Sequence, residues 1–238
     1  MTIKDAAILF FASLILGWAI AETHPQIADP MAIGSIAIPS QQDTIIVPKD
    51  TIKASIQQDT IIDVKDKTAL FIGDSHTSNH SVGWQVILCD KTKLRMNNIS
   101  VVGKTTGWML EQSRLYLLSN YDYCFIYGGA NDMYTSSISI KQAVNNIKQI
   151  VKLCKIHNVN PVILTGFDPI KCTRTSNMNY GPKYAKFQQT LLDSFGSMVV
   201  DTRVIERGDC WDNLCHMNPE GHRKVANQVI KVCKFKVY

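Results

Sequence analysis

The sequence predicts an α/β fold, a parallel sheet covered by helices on both faces as a three-layer α/β/α sandwich, and three observations predict it. From Thr68 onward apolar runs alternate with amphipathic segments, the pattern of strands joined by helical crossovers. Runs such as "ALFIG" and "YCFIY" have no alternating polar residue, as expected of strands buried on both sides. In "SIKQAVNNIKQIVKLCKIHN", Ala143, Ile147, Ile150, Val151 and Cys154 recur at helical spacing on one face.

Taken in order, "ALFIGDS" is a strand entering a turn, "SVGWQVILCD" a helix, "NISVVGKTTG" a strand and loop, and "GWMLEQSRLYLLS" a helix. "DYCFIYGGAND" is a buried strand, followed by the long helix quoted above. "NPVILTGFDP" is another strand, "KYAKFQQTLLDSFG" another helix, "SMVVDTR" the last strand, and "NPEGHRKVANQVIKVCKF" the closing helix. Trp84 and Trp108 read as residues packing helices onto the sheet, and His157 and His222 as surface residues of helices.

The 238 residues are 45% hydrophobic and 19% charged, enough for one sizeable core. The net charge of +5 is spread along the chain, and no basic run interleaved with aromatics marks a nucleic-acid groove. The terminal "KVCKFKVY" reads as a solvated helix end. Residues 22–66 contain no aromatic residue and carry "QQDTII" twice, at Gln41 to Ile46 and Gln57 to Ile62; they read as a linker or stalk with short strands, leaving 67–238 as the folded domain.

Residues 6–21, "AAILFFASLILGWAIA", are uncharged and end in Ala19-Ile20-Ala21. That length suits a signal-peptide core, and small-x-small suits signal-peptidase cleavage after Ala21. Retained, the same run is a membrane anchor; a buried core helix is the third reading. The chain is therefore expected to be secreted, periplasmic or membrane-anchored. Export permits disulfides, and Cys210 and Cys215 are the first pair to test, but seven cysteines without a C-x-x-C pair fix no connectivity and support no zinc ribbon.

Ligands of a parallel sheet sit beyond the carboxyl ends of its strands. There the chain delivers Gly73-Asp74-Ser75-His76, then Gly103, then Gly128-Gly129-Ala130-Asn131-Asp132, and before the last helix Asp212-Asn213-Leu214-Cys215-His216. A hydroxyl becomes a nucleophile at neutral pH when a base takes its proton and an acceptor orients the base; Ser75, His216 and Asp212 supply those types. A tetrahedral oxyanion needs fixed donors, for which the Asn131 amide and the N–H groups of Gly103 and Ser75 are candidates. Gly107 competes with Gly103, and Asn131-Asp132 also suits helix capping. His76 and His80, four apart, are conceivable metal ligands without an evident third. The polar segment from Lys171 to Pro182 is either part of the substrate mouth or a plain surface loop.

These blocks, "GDSHT", "VVGKTTG", "GGAND" and "DNLCHMNPEGH", resemble the SGNH (GDSL-type) hydrolase superfamily, over about residues 67–238. The resemblance implies the SGNH hydrolase fold, with a parallel, flavodoxin-like sheet, and hydrolysis of an ester, commonly an acyl group on a carbohydrate or lipid. It implies Ser75 as nucleophile, His216 as proton relay, an oxyanion hole of Ser75, Gly103 and Asn131, and no metal or organic cofactor. The family places its acid three residues before the histidine, where this chain has Asn213, with Asp212 one further back; either a longer loop presents Asp212 or Ser75 and His216 act as a dyad. The expected function is a serine esterase removing acetyl or similar groups from a glycan, without nucleic-acid partners. The alternative is a catalytically weak glycan-binding or structural surface or virion module on the same fold. If residues 1–21 are a signal peptide, intact-mass measurement of the exported protein gives a chain beginning at Glu22; a mass that retains Met1 to Ala21 identifies an anchor.

Overall fold

The computed structural model describes residues 60–78, 82–135, 137–167, 180–211 and 216–238. Within them the strands are β1 (Thr68–Gly73), β2 (Arg95–Asn98), β3 (Tyr123–Tyr127), β4 (Asn160–Leu164) and β5 (Val199–Val200), all parallel, in the order β2-β1-β3-β4-β5. The helices are α1 (Trp84–Thr92), α2 (Thr106–Tyr116), α3 (Ala130–Tyr134), α4 (Ile140–Ile156), α5 (Tyr180–Phe195) and α6 (Pro219–Cys233).

Side chains alternate across a strand, so the central strands serve two cores. Leu70, Ile72, Cys124 and Ile126 face α2, α4 and α5, where Met109, Ile147 and Phe187 meet them. Ala69, Phe71, Phe125 and Tyr127 face α1 and α6, where Trp84, Leu88, Val225 and Val229 meet them. Phe71 stacks on Phe125 at 4.7 Å and takes the edge of Trp84 at 5.5 Å. The result is the three-layer sandwich expected, and the predicted face of α4 is buried along its length.

Three elements differ from the sequence reading. The second strand is Arg95–Asn98, not the apolar run after it. As an edge strand it needs one backbone partner and little burial, so "RMNN" suffices; Ile99 N and Val101 N still donate to Phe71 O and Gly73 O, at 3.0 and 3.2 Å, and Val102 is exposed. The C-terminal "KVCKFKVY" is not simply solvated: Phe235 is buried against the edges of Tyr123 and Phe125 and bridges Ile62, while Val64 is fully buried. Residues 60–66 thus pack with the folded body. His222 is buried, its Nδ1 accepting the Trp84 N–H at 3.2 Å; it ends the first turn of α1, which has no side-chain cap of its own.

Burial pushes the thiols of Cys89 and Cys233 up to about 12, which keeps them protonated. Cys210 is buried, and its suggested partner Cys215 lies outside the described residues, as does the hydrophobic run 6–21. Among the described residues no helix is long and apolar enough to cross a membrane.

Gly129, at φ +103°, opens α3, and a Cβ there would lie 2.4 Å from the Phe187 ring. Left-handed strain and overpacking of the core then act together. Gly129→Ala is expected to lower unfolding free energy by about 2–5 kcal/mol in urea titration; an unchanged midpoint contradicts this packing.

Candidate active site

All five strands end on one rim, and the site is assembled there. β1 and β3 pair Gly73 with Tyr127, so the segments that follow both strands begin at the same height. A Cβ on Gly73 would lie 2.5 Å from the Tyr127 carbonyl oxygen, which is the steric reason the motif starts with glycine. The chain then turns: Thr77 N and Ser78 N donate to Asp74 O at 3.1 and 2.9 Å, leaving Ser75 half-buried. Among the described residues, neither the Ser75 nor the Gly103 backbone N–H has a hydrogen-bond acceptor.

His216 Nε2 lies 2.9 Å from Ser75 Oγ, across 141 residues of sequence. Its position is secured on both sides. Trp211 N donates to His216 O at 2.9 Å beside the antiparallel bridge of Cys210 with Met217, and Asn218 N donates to Asp209 O at 2.8 Å. Asn218 caps α6 by accepting from Gly221 N at 3.0 Å, with Pro219 at the first helical position. Asp212 and Asn213 lie outside the described residues.

Asn131 joins the other blocks. Its Nδ2 donates to Asp74 Oδ2 at 3.3 Å and to Lys104 O at 3.0 Å, so one amide ties the residue before Ser75 to the residue after Gly103. Both amide hydrogens therefore have acceptors. Donation to an oxyanion requires exchange of one, and the contact to Asp74 is the longer. Gly103 lies in the exposed loop at φ +75°, whereas Gly107 is inside α2.

A sequence model of the GDSL-like lipase/acylhydrolase family matches residues 71–224, which spans all four blocks. The chain belongs to that family. It is an ester hydrolase with an α/β fold. The psychrotrophic esterase EstA from Pseudoalteromonas sp. is similar in structure, with a TM-score of 0.57, 17% identity, and coverage of 71% of this chain and 97% of its own. The acetylxylan esterase Axe2 from Geobacillus stearothermophilus has a TM-score of 0.58 at 16% identity, covering 72% and 96%. A lipolytic G-D-S-L protein from Veillonella parvula has 0.57 at 14%, covering 69% and 97%. No curated protein has a matching sequence.

Beside Ser75 two carboxyls are buried. Burial pushes Asp74 up to about 7, helped by the charge of Asp132 and opposed by the hydrogen bond from His76 N. Asp132 is raised by its own burial and held back by Thr106, whose N–H donates to Oδ2 at 2.9 Å and whose hydroxyl donates to Oδ1. Asp132 thereby caps α2 from a different helix, backed by Asn146 Nδ2 donating to Thr106 Oγ1 at 3.0 Å.

His76 is buried, its ring 5.5 Å from Tyr127, 5.1 Å from Phe167 and 5.3 Å from His216. It forms the wall behind His216, a role with no signal in the sequence beyond its place next to Ser75. The His80 of the conceivable metal pair lies outside the described residues, and among those described no group of three His, Cys, Asp or Glu is placed to hold a metal. Trp84 is fully buried under β1 and β3, and Trp108 is half-buried with the Lys104 ammonium 5.7 Å from its ring centre.

The native value of Asp74, about 7, lies above its ordinary 3.8. The native state thus holds this proton more tightly, giving stability that is complete below about pH 4 and is lost as pH rises through 7. At about 1.4 kcal/mol per unit this is roughly 4 kcal/mol. The difference in unfolding free energy between wild type and Asp74→Asn should therefore fall by about that amount from pH 4 to pH 8; a difference independent of pH contradicts a titrating Asp74.

Proposed function

We propose that this chain is a serine esterase that removes a small acyl group, acetyl above all, from a carbohydrate. The observation that carries the reading is the 2.9 Å contact of Ser75 Oγ with His216 Nε2. With the proton on Nδ1, Nε2 accepts the hydroxyl proton as Ser75 attacks the acyl carbonyl. The N–H groups of Ser75 and Gly103 receive the oxyanion, joined by Asn131 Nδ2 as its contact with Asp74 is exchanged. His216 then protonates the departing alcohol. Water, deprotonated by His216, attacks the acyl-serine and releases the carboxylic acid and the free hydroxyl.

The imidazolium that forms twice in this cycle is stabilised by a carboxylate on Nδ1, and Asp212 is the residue assigned to it, with Asn213 the alternative support. The carbohydrate part draws support from the acetylxylan esterase among the similar structures. It also agrees with residues 1–21 as an export signal, since acylated glycans are met at cell surfaces.

Wild-type protein is expected to cleave p-nitrophenyl acetate and to release acetate from an acetylated glycan. Ser75→Ala and His216→Ala should each lose at least about 10³-fold in kcat with the fold retained by circular dichroism. Fluorophosphonate should label Ser75 rapidly; slow labelling with no turnover is the result expected of a binding module instead. Asp212→Ala should cost on the order of 10⁴ in kcat while Asn213→Ala stays near wild type, and the reverse order reassigns the support of His216.

A further inference from the structure

Between α4 and α5 lies a groove of about 690 Å³ whose charged lining consists of Lys141, Lys148, Lys183 and Lys186. Among the described residues no carboxylate lines it. The seventeen residues of α4 include four lysines and no acid. The nearby Asp193 on α5 is held by Gln189 Nε2 at 2.9 Å and stands outside the lining. Like charges gathered around one concavity repel one another and attract an anion that enters it.

The groove begins beside the esterase site. Lys183 Nζ donates to Thr135 O at 3.0 Å and Ile138 O at 2.8 Å, and Thr135 N donates to Asn131 O at 3.1 Å. One end therefore abuts the helix that carries Asn131. From Lys183 to Ser194 the lining follows α5 for about 16 Å at about 1.5 Å per residue, away from the rim, ending at the hydroxyls of Thr190 and Ser194.

We propose that this groove is an extended subsite for the anionic backbone of the ester substrate, an acylated polysaccharide bearing carboxylate or sulfate groups. The inference rests on Ser75 acting as an esterase nucleophile on a glycan, and it adds the charge of that glycan. Four ammonium groups spaced along a slot match an acid recurring along a chain, and Val144 at its base offers an apolar contact to a sugar ring. A single-stranded nucleic acid fits less well, because such grooves stack bases on aromatic side chains and none is among the described residues that line this one. A membrane surface is flat, and the groove is concave.

The test uses Lys148→Glu/Lys186→Glu, two exposed positions outside the catalytic machinery, with Lys148→Gln/Lys186→Gln as the milder variant should charge reversal impair folding. Wild type should hydrolyse acetylated polygalacturonate with a lower KM than acetylated xylan, and added salt should erase the advantage. The double variant should raise KM on acetylated polygalacturonate about tenfold or more, with kcat on p-nitrophenyl acetate unchanged. Full-length Ser75→Ala should bind unacetylated polygalacturonate, and the same lysine substitutions should abolish that binding. Active enzyme whose binding and KM ignore both substitutions overturns the groove proposal, as does lysine-dependent binding of a single-stranded oligonucleotide or of anionic phospholipid vesicles in place of the polysaccharide. Wild type that fails on p-nitrophenyl acetate yet binds polygalacturonate through these lysines overturns the esterase reading and, with it, the role of the groove as a substrate subsite.

Discussion

The parallel pairing of β1 with β3 is the constraint from which the site follows. With Gly73 opposite Tyr127, Asp74 and Gly128 leave the sheet side by side, and the missing Cβ of Gly73 lets the Tyr127 carbonyl come close. Asp74 then has nowhere to go but inward, where it is fully buried. A buried carboxylate must be hydrogen-bonded, and the donors at hand are His76 N and the Asn131 amide. That requirement draws the third strand-end loop onto the first, and through Lys104 O draws in the second. Ser75, the next residue, inherits a position surrounded by these loops.

The same rim holds the starts of the crossover helices, because in a parallel sheet each helix begins where the preceding strand ends. Helix starts carry unpaired N–H groups, so capping groups and site residues compete for the same space. Here they share it. Asp132 caps α2 while the adjacent Asn131 bridges Asp74 and Lys104, and His222 accepts from the first N–H of α1. Lys183 satisfies two carbonyls of the chain between α3 and α4. Side chains that brace the helices and side chains that face the chemistry are thus neighbours in sequence and in space, which gives the site a rigid support.

The burial of Asp74 also sets the character of the centre. A neutral Asp74 costs less to bury than a charged one, which is tolerated only with its donors in place, so the loop geometry and the protonation of this carboxyl are coupled. His216 is placed differently, half-buried against the His76 ring. The outer helices carry a separate electrostatic feature, the lysine-lined groove of α4 and α5.

The sequence by itself determined most elements of the sandwich and the identities of the residues at the strand ends. Hydrophobic period is local: Phe71 and Ile72, or Ile147 and Val151, announce their burial within a few residues. It also put Ser75, Gly103 and Asn131 each after its strand and His216 before the last helix, because spacing along one chain is enough for that. Only the tertiary structure decided that β2 is "RMNN", since an edge strand is released from the demand for apolar residues, and that His222 and Phe235 are buried, since their partners Trp84 and Ile62 lie far back in the chain. Likewise the meeting of Ser75 with His216, and of Asn131 with Asp74 and Lys104, depends on strand order and register. Those are set by how whole strands pack, and no local pattern encodes them.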